Sequence, residues 1–490
     1  MSLNERDHRL IAHTQALEDE CLRLSDRLFD LAETAYDEYA SVERQIDLLR
    51  QHGFVITRDI GGLPTAFVAE AGSGGPVIGL LGEYDALPQL SQQAGVWQAR
   101  AACVGAAGHG CGHHLLGGAT VLAALALQRW LAETGRAGRV RYHGCPAEEG
   151  GAGKTFLVRA GAFDELDAAL TWHPASILAL DAMSSLATLH ARFRFTVRAA
   201  GSAEDTTATP QPGGSARDAV MLMNVGANYL REHIASDARL HYAVIDAGGN
   251  APDVVQASSE VVYQIRAARL GEVRALYQRL HKIAEGAALM SGTHVLARVD
   301  KAMSNMRPNG VLSDLLYARM AALGPVPFDA VDRALAAVTR GSLRPEDIGP
   351  SLAIFGAEGI ADNLHSALLP RERMPALLPA STDVGDVSWV TPTARFMAPC
   401  FVVGTPFHSW SMVAQGKSTF AHKGMVHAAR ILALGAGALF DDPALLRRAR
   451  AELEAGAAQE AYVCPIPQDI APPLKPRRAT AEAAAQRSER

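Results

Sequence analysis

The chain reads as an α/β protein in which a central sheet flanked by helices is interrupted by a smaller ferredoxin-like module. Three observations point there. Beyond Gly53, short apolar runs alternate with helical patterns, the signature of a layered sheet. Between about Ala187 and Met303 the pattern changes to β-α-β-β-α-β, the split arrangement of ferredoxin-like modules. At 490 residues the chain is also too long for one ordinary core, so two domains are expected.

Residues 1–35 read as a helix, and Ser41–Gly53 as a second. Candidate core strands are Pro76–Leu81, Val140–His143, Asp167–Trp172 and Phe396–Val403. A long helix from about Leu115 to Thr134 joins two of them and stops at Gly135. Sheets of this kind collect ligands at the carboxyl ends of their strands. The inserted module reads as strand Leu189–Ala199, helix Ala216–His233, strands Arg239–Asp246 and Glu260–Ala268, helix Leu270–Met290 and strand Thr293–Val299. The expected division is therefore a catalytic domain in two parts, 1–187 and 304–445, with an inserted domain at 188–303. Residues 446–490 follow as a helix and tail. The stretch Cys464–Arg490 is rich in Pro, Ala and Arg with no apolar period after Ile470, so loose order is expected there.

Composition excludes several classes. Lys and Arg number 46 against 52 for Asp and Glu, a net of −6 that gives no basic surface for nucleic acid or an anionic membrane. The N-terminal MSLNERDHRLIAHTQ has no apolar h-region, and the apolar stretch Gly117–Leu127 is short of the ~20 residues of a membrane span. Six scattered cysteines make no disulfide framework and suit a reducing compartment. The expectation is a cytoplasmic protein with a small-molecule or peptide substrate.

The densest chemistry lies in Gly108-His109-Gly110-Cys111-Gly112-His113-His114, immediately before the long helix. Thiolate and imidazole at this spacing suit Zn²⁺ or another late first-row ion. The interleaved glycines let Cys111 and His113 face one centre. A second feature, Cys145-Pro146-Ala147-Glu148-Glu149-Gly150-Gly151, follows an apolar strand. Adjacent carboxylates in a dry pocket need cations to stay ionised, and one can bind metal while the other moves a proton. His173, in Thr171-Trp172-His173-Pro174, and His408, in Gly404-Thr405-Pro406-Phe407-His408-Ser409, each follow further apolar runs read as strands. Two lookalikes fail. Gly153-Lys154-Thr155 would need a glycine at Glu148 to complete a phosphate-binding loop, and Gly-Ser-Gly at 72–74 has Ala71 where a nucleophile elbow requires glycine.

Gly82-Glu83-Tyr84-Asp85-Ala86-Leu87-Pro88, the stretch Gly108–Gly118, Pro146–Glu149, Thr171–Pro174 and Ser381-Thr382-Asp383-Val384-Gly385-Asp386 together resemble the M20 metallopeptidase family. Within it they are most similar to the amidohydrolase branch and its aminobenzoyl-glutamate hydrolase group. The resemblance spans about residues 10–445 in order. It implies a zinc-peptidase-like catalytic domain with a mixed sheet, and an inserted domain serving as lid and dimerisation surface of a homodimer. It also implies two divalent ions, Zn²⁺ or Mn²⁺, with Cys111 bridging and His113, Glu149, His173 and His408 completing the site. Glu148 is then the general base that activates the metal's water and hands the proton to the leaving nitrogen. The activity implied is hydrolysis of the amide bond in a small N-acylated amino acid or related compound. A dipeptidase or carboxypeptidase of the same architecture is the alternative, and a non-catalytic, metal-binding dimer the alternative of another class.

One stretch departs from the family. Relatives usually carry a histidine where this chain has Asp205, four residues after Gly201, and Asn-Val-Val-Pro where it has Asp253-Val254-Val255-Gln256. Together with Arg266, these are the candidate substrate contacts. Two new carboxylates would repel a substrate anion, so a neutral or cationic group on the substrate is expected there.

Overall fold

A computed structural model describes residues 2–197, 214–250 and 255–474. The first strands along the chain are β1 (Val55–Arg58), β2 (Phe67–Ser73), β3 (Val77–Glu83), β4 (Gly138–Cys145), β5 (Ala168–Ala175), β6 (Ala179–Asp181) and β7 (Ser184–Ser185). The inserted module contributes β8 (Ala187–Val197), β9 (Arg239–Asp246), β10 (Ser258–Ala267) and β11 (Thr293–Met303), and the chain returns through β12 (Leu377–Leu378) to β13 (Thr393–Pro399).

The central sheet runs β1-β2-β4-β3-β5-β13-β6. Its middle four strands are parallel, while β1, β2 and β6 pair antiparallel at the flanks. The sheet is therefore mixed. The carboxyl ends of β3, β4 and β5 open on one side, and every residue of β3 is buried, as a strand covered on both faces requires. The helix His113–Thr134 has 17 of its 22 residues buried, so its all-round apolar character marks a core helix. It packs between the sheet and the helices Glu5–Leu31 and Thr419–Asp441.

In the inserted domain the order is β11-β8-β10-β9, all antiparallel, which is the ferredoxin-like arrangement. Alternation along the strands separates its faces. Phe193, Phe195, Val261, Tyr263 and Ile265 are buried on the face covered by helices Ala216–Leu230 and Leu270–Ser291. His190, Arg192, Arg194, Glu260, Gln264 and Arg266 occupy the other.

Two expectations need correction. The last core strand was expected at Phe396–Val403 but ends at Pro399. The backbone amides of residues 400–403 instead turn to separate partners, with Cys400 and Phe401 donating to Ala175 O, Val402 to Gln415 Oε1 and Val403 to Asn363 O. These residues stay buried without being a strand, and His408 lies on a loop beyond them. The C-terminal segment is also not loose over its described part. Ile466 is buried, Tyr462 donates to Asp386 and Arg159 donates to the carbonyls of Pro467 and Ile470. Arg274, on the inserted domain, donates to the carbonyls of Val463 and Cys464, so the segment fastens both domains. A few carbonyls gripped by arginines need no apolar periodicity.

His143 on β4 is wholly buried, stacks on Phe163 at 4.7 Å, and has no hydrogen bond on either ring nitrogen. Burial, with Arg141 nearby, pushes it down to about 3. Its folded value is below the unfolded one, so acid protonates the unfolded chain first and stability is lost as pH falls below the unfolded value of about 6.5. Stability measured by denaturant unfolding should therefore show His143→Phe gaining ~2 kcal/mol relative to wild type between pH 7 and pH 5. An unchanged difference across that range would contradict the assignment.

Candidate metal centre and catalytic loop

Four segments deliver the five expected donors to one place. Gly112 has φ +80° and caps the long core helix; a Cβ there would crowd Phe401 and Pro174, so only glycine lets the chain turn between Cys111 and His113. Cys111 Sγ lies 3.4 Å from His173 Nε2 at the end of β5. Glu149 arrives on the loop after β4, and its Oε1 is 4.0 Å from His113 Nε2 and 3.3 Å from His408 Nε2. The His408 backbone N–H donates to Gly110 O at 2.9 Å, tying its loop to the cysteine loop, and His408 itself sits at φ +56°. Donor atoms of Cys111, His113 and His173 lie within 4.8 Å of one another, as do those of Cys111, Glu149 and His408.

The partners of these groups orient them toward that centre. Asp85 faces His113 Nδ1 at 2.9 Å and accepts the Glu149 backbone N–H at 2.9 Å, fixing both residues with one carboxylate. His173 Nδ1 donates to Pro174 O, which leaves Nε2 with a lone pair. Burial, with His113 nearby, pushes His173 down to about 4, so its ring is neutral at pH 7. Glu149 is buried, yet His408 and His113 hold it at about 2. Burial, with Glu149 beside it, drives the Cys111 thiol well above its usual value, so a thiolate there needs a cation. Two buried atoms at the centre, His113 Nε2 and Glu149 Oε1, make no well-aligned hydrogen bond and sit in long contacts, to Glu83 and to His408 Nε2 respectively, each at 3.3 Å. Orphaned donor atoms converging with a soft thiol are what a divalent ion would satisfy, so the residues fit such a group.

Glu148 borders this set, with its carboxylate within 4.8 Å of the donor atoms of His113 and Glu149, and also faces a second cluster. Its carboxylate lies within 4.8 Å of those of Glu83 and Asp383. Burial and then Glu83, Glu149 and Asp383 raise it well above the ordinary carboxylate range. The charge of the cluster is offset by Lys154, wholly buried, whose Nζ is 2.6 Å from Glu83 Oε1 and 2.7 Å from Asp383 Oδ1. Burial alone would lower Lys154, but the two carboxylates hold it well above its usual value. Glu83, although buried, is kept near 2 by Lys154 and His113. The Gly-Lys-Thr that imitates a phosphate loop thus opens the short helix Gly153–Arg159 and spends its ammonium on carboxylates.

Sequence reasoning assigned no role to Glu83, Asp85, Lys154 or Asp383, and it missed the support under the catalytic loop. Ala147, just before Glu148, is at φ +59°. Its N–H donates to the buried Glu38 Oε1 at 2.9 Å, and the Ala152 N–H donates to Tyr36 Oη at 3.2 Å. A Cβ on Gly151 would meet Tyr36 Oη at 2.4 Å. The loop from 147 to 152 is therefore held from below by two side chains more than a hundred residues away. A Gly-rich loop following two glutamates was the available signal that something must approach it closely.

Of the expected substrate contacts, Arg266 is half-buried on β10, on the polar face of the inserted sheet. With its amide oriented to accept, Gln264 takes hydrogen bonds from Arg266 and from His190 Nε2. Asp205 and Asp253 lie outside the described residues.

Comparison with known proteins adds to this geometry. The family model described as peptidase family M20/M25/M40 matches residues 79–468. The chain is 45% identical over 464 residues to a p-aminobenzoyl-glutamate hydrolase subunit of Escherichia coli (strain K12), covering 92% of this chain and 96% of that one. Among solved structures, the aminobenzoyl-glutamate utilization protein of Klebsiella pneumoniae superposes with a TM-score of 0.55 at 17% identity, over 85% of this chain and 98% of that one. A dinuclear metal binding peptidase of the M20 family from Bacillus subtilis gives a TM-score of 0.51 at 17% identity, with the same coverage of 85% and 98%.

Proposed function

Since the chain belongs to peptidase family M20/M25/M40 and is a metal-dependent hydrolase of amide bonds, we propose that Cys111, His113, Glu149, His173 and His408 would hold a pair of divalent ions, Zn²⁺ or Mn²⁺. The observation that carries this reading is the convergence of those donors in one place, beside the Glu148 carboxylate, which lies within 4.8 Å of His113 and Glu149 as well as of Glu83 and Asp383. When bound, such ions polarise the scissile carbonyl and make a water acidic enough to ionise near neutral pH.

The rest is the work of the chain. Glu148 accepts the proton of the attacking water on its carboxylate and returns it to the leaving nitrogen. Its place among Glu83, Glu149 and Asp383 raises its affinity for a proton, which favours taking the water's proton and keeping it near the leaving nitrogen. Asp85 keeps His113 in the tautomer with Nε2 inward and anchors the Glu149 backbone. Glu38 and Tyr36 hold the loop so that Glu148 is fixed in place rather than mobile.

The substrate is an N-acyl amino acid, and p-aminobenzoyl-glutamate, named for a relative 45% identical, is the compound to test first. The polar face of the inserted sheet favours a carboxylate on it, because among the described residues Arg192, Arg194, Arg266, Arg298 and Lys301 there outnumber Glu260 and Asp300. That balance of charge weighs against the neutral or cationic group expected from Asp205 and Asp253.

A homodimer joined through the inserted domain is part of the same reading. Strand β9 is a sheet edge, exposed apart from Leu240, with Tyr242, Val244 and Ile245 partly open. Met221, Val225 and Tyr229 form an exposed stripe on the helix Ala216–Leu230, which packs against β9. An open edge beside an apolar stripe is a surface that a second copy would cover.

Chelator-stripped protein should lose hydrolysis of p-aminobenzoyl-glutamate and regain it on adding Mn²⁺ or Zn²⁺, with two ions per chain by elemental analysis and the mass of a dimer on sedimentation. Equal rates before and after stripping would overturn the metal reading.

A further inference from the structure

A cleft of about 650 Å³ separates the catalytic loop at Gly150 and Gly151 from the polar face of the inserted sheet. Its walls belong to different domains, so its width depends on how the domains are placed. The chain passes into the inserted domain between β7 and β8 and leaves it after Met303. These two crossings are bonded to each other. The Met306 N–H donates to Ser185 Oγ at 3.0 Å, and Ser184 Oγ donates to Met306 O at 2.9 Å. A domain attached through two adjacent strands at one point can rock about that point, as in hinged closure of a cleft.

Residues 460–474, which follow the helix Pro443–Gln459, add a third connection. They start at the hinge. Tyr462 Oη donates to Asp386, which also accepts from Ser304 N and Oγ just past the crossing and from Thr155 Oγ on the helix behind the catalytic loop. Farther along, Arg274 of the inserted domain donates to Val463 O at 3.0 Å and Cys464 O at 3.3 Å. Ile466 is buried in an apolar cluster that both domains share. Arg159 of the catalytic domain then donates to Pro467 O at 2.7 Å and Ile470 O at 2.9 Å. The far end, Pro473, lines the cleft itself.

The segment suits a mechanical task. Pro465, Pro467, Pro472 and Pro473 fix φ along it, which makes it stiff. Its arginine fastenings are exposed or partly exposed, so water can replace them without stranding a buried group. We propose that residues 460–474 are a strap that limits how far the inserted domain swings away from the catalytic loop, with Arg274 and Arg159 as its two fastenings. Both arginines act through the strap and are positioning residues. Releasing them lets the domain spend more time open, and apparent affinity falls with the fraction of closed molecules.

The test uses metal-loaded, full-length protein carrying Arg274→Met, Arg159→Met or both. Amide hydrogen exchange in the double variant should quicken roughly 5- to 20-fold at the crossing, residues 303–307, and in the catalytic loop, residues 147–152, while β3 and β5 exchange as in wild type. KM for p-aminobenzoyl-glutamate should rise about 3- to 10-fold with kcat within about twofold. Arg274→Lys, which can still reach one carbonyl, should recover part of both effects. A tail that supports only its own surroundings would quicken exchange at residues 460–474 alone, and that result overturns the strap. So does acceleration spread evenly over β3 and β5, which marks lost global stability rather than a freed hinge. The KM arm rests on the amidohydrolase reading and the exchange arm does not. If wild type fails to hydrolyse the amide, that reading fails by itself and exchange alone decides the strap.

Discussion

Glu148→Gln should lower kcat by about 10²- to 10⁴-fold, the usual worth of a positioned general base, while leaving metal content and mass in solution as in wild type. The separation of effects is the informative part. Glu148 lies within 4.8 Å of His113 and Glu149 and also of Glu83 and Asp383, but groups with neither Cys111 nor His408, so metal content is what separates a base from a ligand. Glutamine keeps its shape and is neutral, as the cluster around Glu148 already favours, so the fold should be about as stable. Turnover would be lost because an amide cannot take the water's proton. Single-turnover rates with p-aminobenzoyl-glutamate, paired with elemental analysis, would check both halves. Wild-type turnover in the variant would remove Glu148 from the mechanism. Loss of metal in step with activity would make it a ligand.

The second large effect falls on stability. Lys154→Met should cost ~3–5 kcal/mol, because it leaves Glu83 and Asp383 buried without their shared cation. Lys154 is wholly buried and bonded to both, and its own backbone N–H donates to Asp383 Oδ2 at 2.8 Å. Breaking one side of a buried pair is worse than deleting all of it, so adding Glu83→Gln and Asp383→Asn to Lys154→Met should recover part of the loss. Denaturant unfolding of the single and triple variants reads this directly. A single variant within about 1 kcal/mol of wild type would mean that water reaches the cluster. Activity should fall further than stability alone explains, since Glu83 lies 3.3 Å from His113 Nε2 and a displaced Glu83 would disturb the metal centre.

The correct and incorrect expectations divide along physical lines. The core strands and the long helix were legible because apolar periodicity is local, and β9 begins and ends at Arg239 and Asp246 as expected. Cys111 and His113 stood out because they lie among glycines, whereas the meeting of Cys111, His113, Glu149, His173 and His408 is seen only in their geometry. The end of β13 was not, because Phe401, Val402 and Val403 are as apolar and as buried as any strand but bond to scattered partners. Glu38 and Tyr36 gave no sign, since their task is defined by loop atoms a hundred residues away. Lys154 was read correctly as no phosphate loop, but nothing local showed which carboxylates it would meet.

What the sequence by itself determined is the chemistry: soft and imidazole donors, a spare carboxylate, an inserted module of ferredoxin-like pattern, and the family they imply. Residue type fixes which bonds a side chain can make, and that is written in the chain. Only the tertiary structure decided which charges meet, that Lys154 neutralises the acids around Glu148 and that the C-terminal segment ties Arg274 of the inserted domain to Arg159 of the catalytic one. Electrostatic strength depends on distance and desolvation, and both exist only once distant segments have packed together.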